Sequence, residues 1–472
     1  MNTTPSRLRP AVLMPLVLAL AACATPAPPA IVPVVIPAQW QAPLPHQGTV
    51  SALAQWWEQQ GDPVLVALID AAQAVSPSMA QALSHIETAR ATQVATGAAL
   101  GPKLDASLSA GRGVSQPGVP LATTVQGGLQ ASWELDLFGA NRAASSAALS
   151  QFQGNQAQWH DARVSVAAEV ANLYYGLRTC QQQLAVTQAD AQSRRETARL
   201  ADLSAKAGFT APAVAALARA SAAESNSRVT QQNALCDLDT KAMVALTALP
   251  EPDLKQKLAS APVKPAQAAP ITIASVPAQT LAQRPDVFAA EREVAAASAQ
   301  FSIAQAQRYP RLSLNGSIGA LRVGTGAGNT DLTTWSIGPI ALSLPLFDGG
   351  QRAANVDAAQ ARYREAEANY SARVRQAVRE VEEALVNLQS TDSRRQDADV
   401  ASRGYTESLA ATQARYTHGL ASLVELEDVR RTTLAAQSAL LSLQLERNRA
   451  WVALYRALGG GWGPDAAPPA KS

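Results

Sequence analysis

The chain is poor in the side chains that most often carry chemistry. Its 472 residues include three cysteines and four histidines, and aromatics make up 5%. The histidines, His46, His85, His160 and His418, are scattered and lack the spacing of a metal site. No Walker A or G-x-S-x-G pattern occurs. An enzyme reading therefore has nothing to rest on, and no cofactor is implied. An excess of charge of one sign is also missing, with Lys+Arg at 39 against Asp+Glu at 37. That balance leaves no footprint for a nucleic acid. Beyond the N-terminus no segment reaches ~18 consecutive apolar residues, so no transmembrane helix is expected. A membrane crossing would have to use β-barrel strands. Proline is absent from about Ala140 to Ala207 and again from about Gln351 to His418. Each stretch reads as one helix roughly 100 Å long, which a globular domain has no room for.

What is present is present twice. Pro102-Lys103-Leu104 returns as Pro310-Arg311-Leu312, and Leu137-Phe138-Gly139 as Leu346-Phe347-Asp348. Glu169-Val170 matches Glu380-Val381, and Gly208 matches Gly419. The offset drifts only from 208 to 211, so this is a duplicated half-molecule and not a solenoid. Each half reads helix, two strands, long helix, turn, returning helix. In the first, Pro63 to about Leu100 reads as one helix, stopped by Pro102. Strands are expected at 104–112 and 125–137, then at 311–319 and 333–346. Pro339 and Pro345 should disturb the last ladder. Glycine-rich loops at 111–124 and 322–332 join the strands. Gly324-Thr325-Gly326-Ala327-Gly328 lies in the second, an external loop and not a phosphate cradle. The long helices turn at Gly208 and Gly419, and residues 212–249 and 420–458 return. Val374, Val378, Val381, Leu385 and Leu388 step by 4, 3, 4 and 3, a heptad seam that calls for a coiled-coil partner.

The strand between 125 and 137 alternates. Val125, Gly127, Leu129, Ala131, Trp133, Leu135 and Leu137 are apolar or small, while Gln126, Gln130, Ser132, Glu134 and Asp136 between them are polar. Two readings are open. One is a half-buried sheet packed on helices. The other is a lipid-facing barrel with a polar lumen. Four strands cannot close a barrel, but three chains would supply twelve.

The N-terminus reads as a targeting segment, with Arg7 and Arg9 before the apolar run Ala11 to Ala22. Leu20-Ala21-Ala22-Cys23 resembles a bacterial lipobox, which implies a signal peptide over 1–22 and an acylated Cys23. Several acyl chains, at about 0.8 kcal/mol per buried CH₂, would make a stable anchor. A lipidated linker over 23–61 should follow. The repeats span 62–258 and 281–460, with a linker or equatorial segment over 259–280 and a tail over 461–472.

Several stretches carry a family resemblance. They are Arg284-Pro285-Asp286-Val287, Ala304-Gln305-Ala306-Gln307-Arg308-Tyr309-Pro310, Leu344-Pro345-Leu346-Phe347-Asp348-Gly349-Gly350 and the tip Arg415-Tyr416-Thr417-His418-Gly419-Leu420-Ala421-Ser422. Together and in this order they resemble the TolC-like outer membrane factors, in particular the OprM/NodT-like lipoprotein branch. The resemblance implies an α+β fold with duplicated coiled-coil hairpins. It implies a homotrimer with a 12-stranded barrel in outer membrane lipid and an α-barrel across the periplasm. The partners it implies are a periplasmic adaptor and an inner membrane RND pump. Function would then be that of an exit duct for drugs or other small solutes. A type I secretion component and a non-channel periplasmic scaffold are the alternatives.

The same resemblance places a gate at the periplasmic tips. Glu425 and Asp428 match ring-forming acids, and Tyr416 matches a tyrosine of the closed-state network. Ala421 stands where some members carry a locking arginine. Gly208-Phe209-Thr210 and Gly419-Leu420-Ala421 resemble adaptor-docking turns, although a tight helical turn needs glycine anyway. The acids could also be a solvated helix N-terminus. Independently of any family, Cys180 and Cys236 lie equidistant from Gly208. In an antiparallel hairpin they share a height, and the periplasm is oxidising. A disulfide is predicted, unless the Cα atoms fall outside ~4.4–6.8 Å.

Overall fold

The computed structural model describes residues 27–42, 44, 55–114, 121–260, 271, 280–325 and 328–463. The signal peptide, Cys23 and the 464–472 tail lie outside them. In order the elements are α1 (Trp56–Gln59), α2 (Pro63–Val75), α3 (Pro77–Ala98), β1 (Lys103–Gly113), β2 (Ala122–Leu135), α4 (Ala140–Lys206), α5 (Pro212–Thr247), α6 (Glu251–Ser260), α7 (Pro285–Ala306), β3 (Arg311–Thr325), β4 (Gly328–Ser343), α8 (Gln351–Thr417) and α9 (Leu423–Ala457), with a 3₁₀ turn at Gly459–Gly461. The chain divides into two compact units. One contains 1–32, 89–152 and 291–368; the other contains 33–88, 153–290 and 369–472.

The first unit holds the sheet. Its order is β1-β2-β3-β4, all antiparallel. Register puts Leu104, Ala106 and Leu108 beside Ala131, Leu129 and Gly127. These continue into Gly316, Ile318 and Ala320, then Ile337 and Trp335. One face is therefore apolar across all four strands. The other carries Asp105, Ser107, Gln130, Ser132, Asn315, Ser317 and Ser336. The apolar face is not covered within the chain: Leu108 is 82% exposed, Trp335 72% and Ile337 93%. At the crossing of Gly128 with Gly319 a Cβ on either would come to 3.0 Å of a carbonyl oxygen across the pair, so the two strands meet there through glycine alone.

The strands run longer than the sequence pattern suggests. β3 continues to Thr325 and β4 begins at Gly328, so the expected 322–332 loop shrinks to a hairpin, with Arg322 and Asp331 paired across it. Pro339 sits inside β4 and not at its end. The ladder absorbs it by a register shift: Leu314 pairs Ile340 and Gly316 pairs Ile337. β4 is an edge strand, where a missing N–H donor is tolerated.

The second unit is helical. Its core gathers Trp56, Leu65, Leu68, Val170, Tyr174, Leu177, Met243, Leu254, Val381, Leu385 and Trp451, all nearly inaccessible. Full burial of one such aliphatic side chain contributes about 1.5–3 kcal/mol. The heptad seam of α8 enters this core through Val381, Leu385 and Leu388, while Val374 is buried in a second cluster with Leu281, Val287 and Ala377. The expected single helix from Pro63 to Leu100 is instead two, bent by 52°. Asp62 caps the first, accepting from the amides of Val64 and Leu65. Pro77 forces Ser76 out of the helical region, to φ −66° and ψ 123°. No single described helix is long and apolar enough to cross a membrane.

Two features give reasons for sequence motifs. Buried Arg284 binds both Asp286 and Glu380 and donates to the carbonyl of Ala457, closing the end of α9. Burial pushes the Asp286 carboxyl up, and the bonds from Arg284 more than offset this, leaving it below the usual carboxylate range. The described part of the expected linker is docked rather than free. Val34 and Ile36 pack against Leu281, Val287 and Val374. The amides of Gln41 and Ala42 both donate to the Glu382 carboxylate, at 2.6 and 2.8 Å, and Trp40 is buried.

Candidate functional site: the paired hairpin tips

Both long helices end in the same turn. At the first tip Gly208 has φ +80°, its N–H donates to Ala205 and that of Phe209 to Ser204. At the second Gly419 has φ +75°, its N–H donates to Tyr416 and that of Leu420 to Arg415. These are Schellman turns with glycine in the left-handed position. The residue after the glycine usually folds back onto the helix. Here Phe209 is 87% exposed and Leu420 70%, two apolar side chains held outward. Ala421 follows, one residue before the N-cap of α9.

The returning helices start differently. Ser422 caps α9 by accepting from the Glu425 amide at 3.1 Å. Ala211 offers α5 no side-chain cap, and Pro212 supplies the first helical residue. Thr210 and Ser204 share a hydrogen bond that ties the first turn to α4.

The expected gate acids are one turn apart on α9. Glu425 accepts from Arg415 at 2.7 Å, and Arg415 also holds the Leu420 carbonyl at 3.0 Å. Arg415 thereby ties the turn from within, at a tip where Ala421 supplies no arginine. Asp428 is paired with Arg431, and both are exposed. Tyr416 packs its ring against Ala198, Ala201, Ala215, Ala218 and Leu423, and burial pushes its hydroxyl up.

Between these acids lies Glu427, which is not among the expected gate residues. It is instead the centre of a buried network. One oxygen is bound by Arg194 and by the Ser221 hydroxyl at 2.7 Å; the other accepts from Arg430 at 2.9 Å. Arg194 is held by Asp190 at 2.9 and 3.0 Å. Arg430 is 1% exposed and reaches Ser193, Thr197 and Gln413. All four long helices contribute, and hairpin one is bound to hairpin two. The only available signal was that Arg194 falls among Ala191, Ala198 and Ala201, on a stripe that should be apolar.

Farther along hairpin one, Cys180 and Cys236 have Cα atoms 5.6 Å apart and are joined through their sulfurs. Among the described residues no cluster of His, Cys, Asp or Glu could hold a metal ion.

Comparison with known proteins meets this geometry. The family described as outer membrane efflux protein matches residues 68–249 and 276–460. Pyoverdine export outer membrane protein OpmQ of Pseudomonas putida is 30% identical over 466 residues, 96% of this chain and 98% of that one. The solved outer membrane channel CmeC of Campylobacter jejuni superposes with a TM-score of 0.80 at 22% identity, covering 94% of this chain and 96% of that one. The outer-membrane channel OprN superposes at 0.77 with 27% identity, covering 93% and 98%.

Proposed function

This chain belongs to the outer membrane efflux protein family and is an efflux channel of the outer membrane, not an enzyme; from that premise we propose that three copies form its duct. Channels of this family work with a periplasmic adaptor and an inner membrane pump. One observation carries the trimer: the four-stranded sheet has an exposed apolar face and two unpaired edges, β1 and β4. Four strands are too few to close. Closure by three chains gives twelve, satisfies the edges and turns the apolar face to lipid. Native mass measurement of the detergent-solubilised protein should give a trimer, and bilayers containing it should conduct. A monomer without conductance would return the chain to the scaffold reading.

Three finer roles extend the proposal. Glu425 and Asp428, with Tyr416 beside them, form the periplasmic gate, because each trimer would bring three of each acid around one axis, where like charges select for cations. Neutralising both, as Glu425→Gln and Asp428→Asn, should raise resting conductance. Phe209 and Leu420, on the turns of Gly208, Thr210, Gly419 and Ala421, are the docking points for the adaptor of an RND-type pump. Their outward apolar side chains support this. Cys23, outside the described residues, carries the lipid. Labelled palmitate should enter the wild type and not Cys23→Ala.

A further inference from the structure

All four long helices line one cavity of about 1110 Å³. It lies wholly within the helical unit, and so within one chain. α4 brings Glu169, Asn172 and Gly176 to it, α5 brings Asp239, α8 brings Glu380 and Glu383, and α9 brings Arg449 and Arg456. The remaining wall is largely apolar: Ala242 and Leu246 follow Asp239 along α5, and Val452 and Ala453 separate the two arginines of α9. A roomy hollow with apolar walls and a few polar groups is the build of a small-molecule site.

Two of its carboxylates are already satisfied. Glu380 accepts from Arg284 and from Gln376, each at 2.8 Å, and Glu383 accepts from Arg379 at 3.2 Å. Glu169, Asp239, Arg449 and Arg456 have no ion pair and no side-chain hydrogen bond among the described residues. An exposed charge without a partner is ordinary. Asp239 is half-buried, however. Burial pushes its carboxyl up, and the nearby Arg449 charge offsets this only in part. Asn172 adds a buried Oδ1 that has no donor. Gly176 keeps space open beside them: the Arg449 guanidinium, at 3.9 Å, is all that a Cβ there would meet. Glycine inside a helix costs about 1 kcal/mol against alanine, so α4 gives up stability for that gap. Contacts of α4 with α9 step in opposite directions, from Gly176 and Arg449 to Gln183 and Ser438, so the two helices are antiparallel. Two turns the other way, about 10 Å along each, stand Glu169 and Arg456. An acid and a base are thus left unbonded at both ends of the hollow.

We propose that this hollow binds a zwitterionic solute, an ammonium and a carboxylate joined by an apolar body, with the ammonium at Asp239 and the carboxylate at Arg449. A longer molecule of the same class reaches Glu169 and Arg456. A solute of this class answers both unpaired signs at once. A simple cation would meet the Arg449 charge at close range, and a simple anion would meet Asp239. The site is complete in one chain, so it stands or falls apart from the trimer and the duct.

Calorimetry on the intact, detergent-extracted protein tests this with leucyl-leucine, its N-acetyl derivative and its amide. The three share one apolar body and differ in which charge they keep. The zwitterion should bind at least tenfold tighter than either derivative. Equal affinities, or no heat from any of the three, overturn the proposal. Asp239→Asn should bring the zwitterion level with the N-acetyl form, and Arg449→Gln should bring it level with the amide. A preference that survives either substitution places the zwitterion elsewhere and overturns the assignment. Gly176→Leu keeps all four charges and favours the helix. By filling the gap it should weaken binding of the zwitterion several-fold. An unchanged affinity overturns the site even if the charge variants do not assemble. Conductance enters none of these readouts, so their failure and the failure of the channel reading are told apart.

Discussion

Arg219 and Arg430 stand eleven residues past Gly208 and Gly419, the same place in the two hairpins. Arg219 lies on the surface and pairs with Asp202 of its own hairpin. Arg430 is buried and binds Glu427, Ser193, Thr197 and Gln413. Duplication supplied one residue to two sites, and the surroundings decided what it does. Hairpin one closes on itself through a disulfide. Hairpin two closes on hairpin one through ions. The first bond is covalent and indifferent to salt, whereas the second can be exchanged for water.

The comparison is tested most strongly at the arginines themselves. Arg430→Ala leaves part-buried Glu427 with Arg194 as its remaining cation and strips the buried contacts to Ser193, Thr197 and Gln413, and should cost about 3 kcal/mol. Arg219→Ala removes an exposed pair and should cost under about 1 kcal/mol. Denaturant melts of the solubilised protein measure both. Equal losses would mean that the buried network adds nothing specific to hairpin two.

Next in size is the disulfide. Cys180→Ser with Cys236→Ser frees a loop with a sequence separation of 56 and should cost about 2–4 kcal/mol. A reductant should reproduce the loss in the wild type and leave the double variant unchanged. If the reductant destabilises both equally, the staple is not what holds hairpin one.

A third difference is chemical. His160 of α4 is buried against Trp159 and Trp462, while its counterpart in α8 is Ser371. Burial, helped by the nearby Arg163 charge, lowers its pKa to about 4 from 6.5. The folded state therefore keeps it neutral where the unfolded chain would protonate. Its contribution to stability is whole above pH 6.5 and is lost as the pH falls through about 4. Thermal melts from pH 7 to pH 4 should fall less steeply for His160→Ser than for the wild type. Parallel curves would clear this residue of any part in acid sensitivity.

How much of this could be read from the residues follows from what each kind of signal depends on. Glycine at the tips is forced by local backbone geometry, so Gly208 and Gly419 announce themselves. The position of Cys180 against Cys236 follows from hairpin arithmetic, and Val374 to Leu388 from heptad spacing. The strands are legible but come out short, because Gly324 and Gly328 read as loop while the ladder carries them. Pro77 was read through, since apolar spacing continues on both sides of the bend. The Glu427 network was missed for a different reason. Its members come from four helices, and each alone looks like a solvated charge. Only their convergence makes them a core, and convergence is a property of the tertiary structure. The segment before Trp56 looked like a linker because proline and alanine carry no periodicity, yet Val34, Ile36 and Trp40 give it a place to bind.

The smallest effect separates stability from function at the second tip. Arg415 bridges Glu425 and the Leu420 carbonyl, and it is half exposed. Solvent screening keeps such a pair below about 1 kcal/mol, so Arg415→Ala should shift the melt little. Its effect on the gate should be larger in proportion. Without Arg415 the Glu425 carboxylate loses its cation and adds its full charge to the ring proposed in the trimer. The ring should then hold cations more tightly and resist anions. The corresponding residue of hairpin one is Ser204, which ties Thr210 instead and carries no charge to lose. Ser204→Ala should therefore leave ion selectivity where it was. The measurement is reversal potential in asymmetric salt for the two variants beside the wild type. A shift toward cations in Arg415→Ala alone keeps the division between a charged tip and a neutral one. An equal shift in both would mean that the two tips face the pore alike.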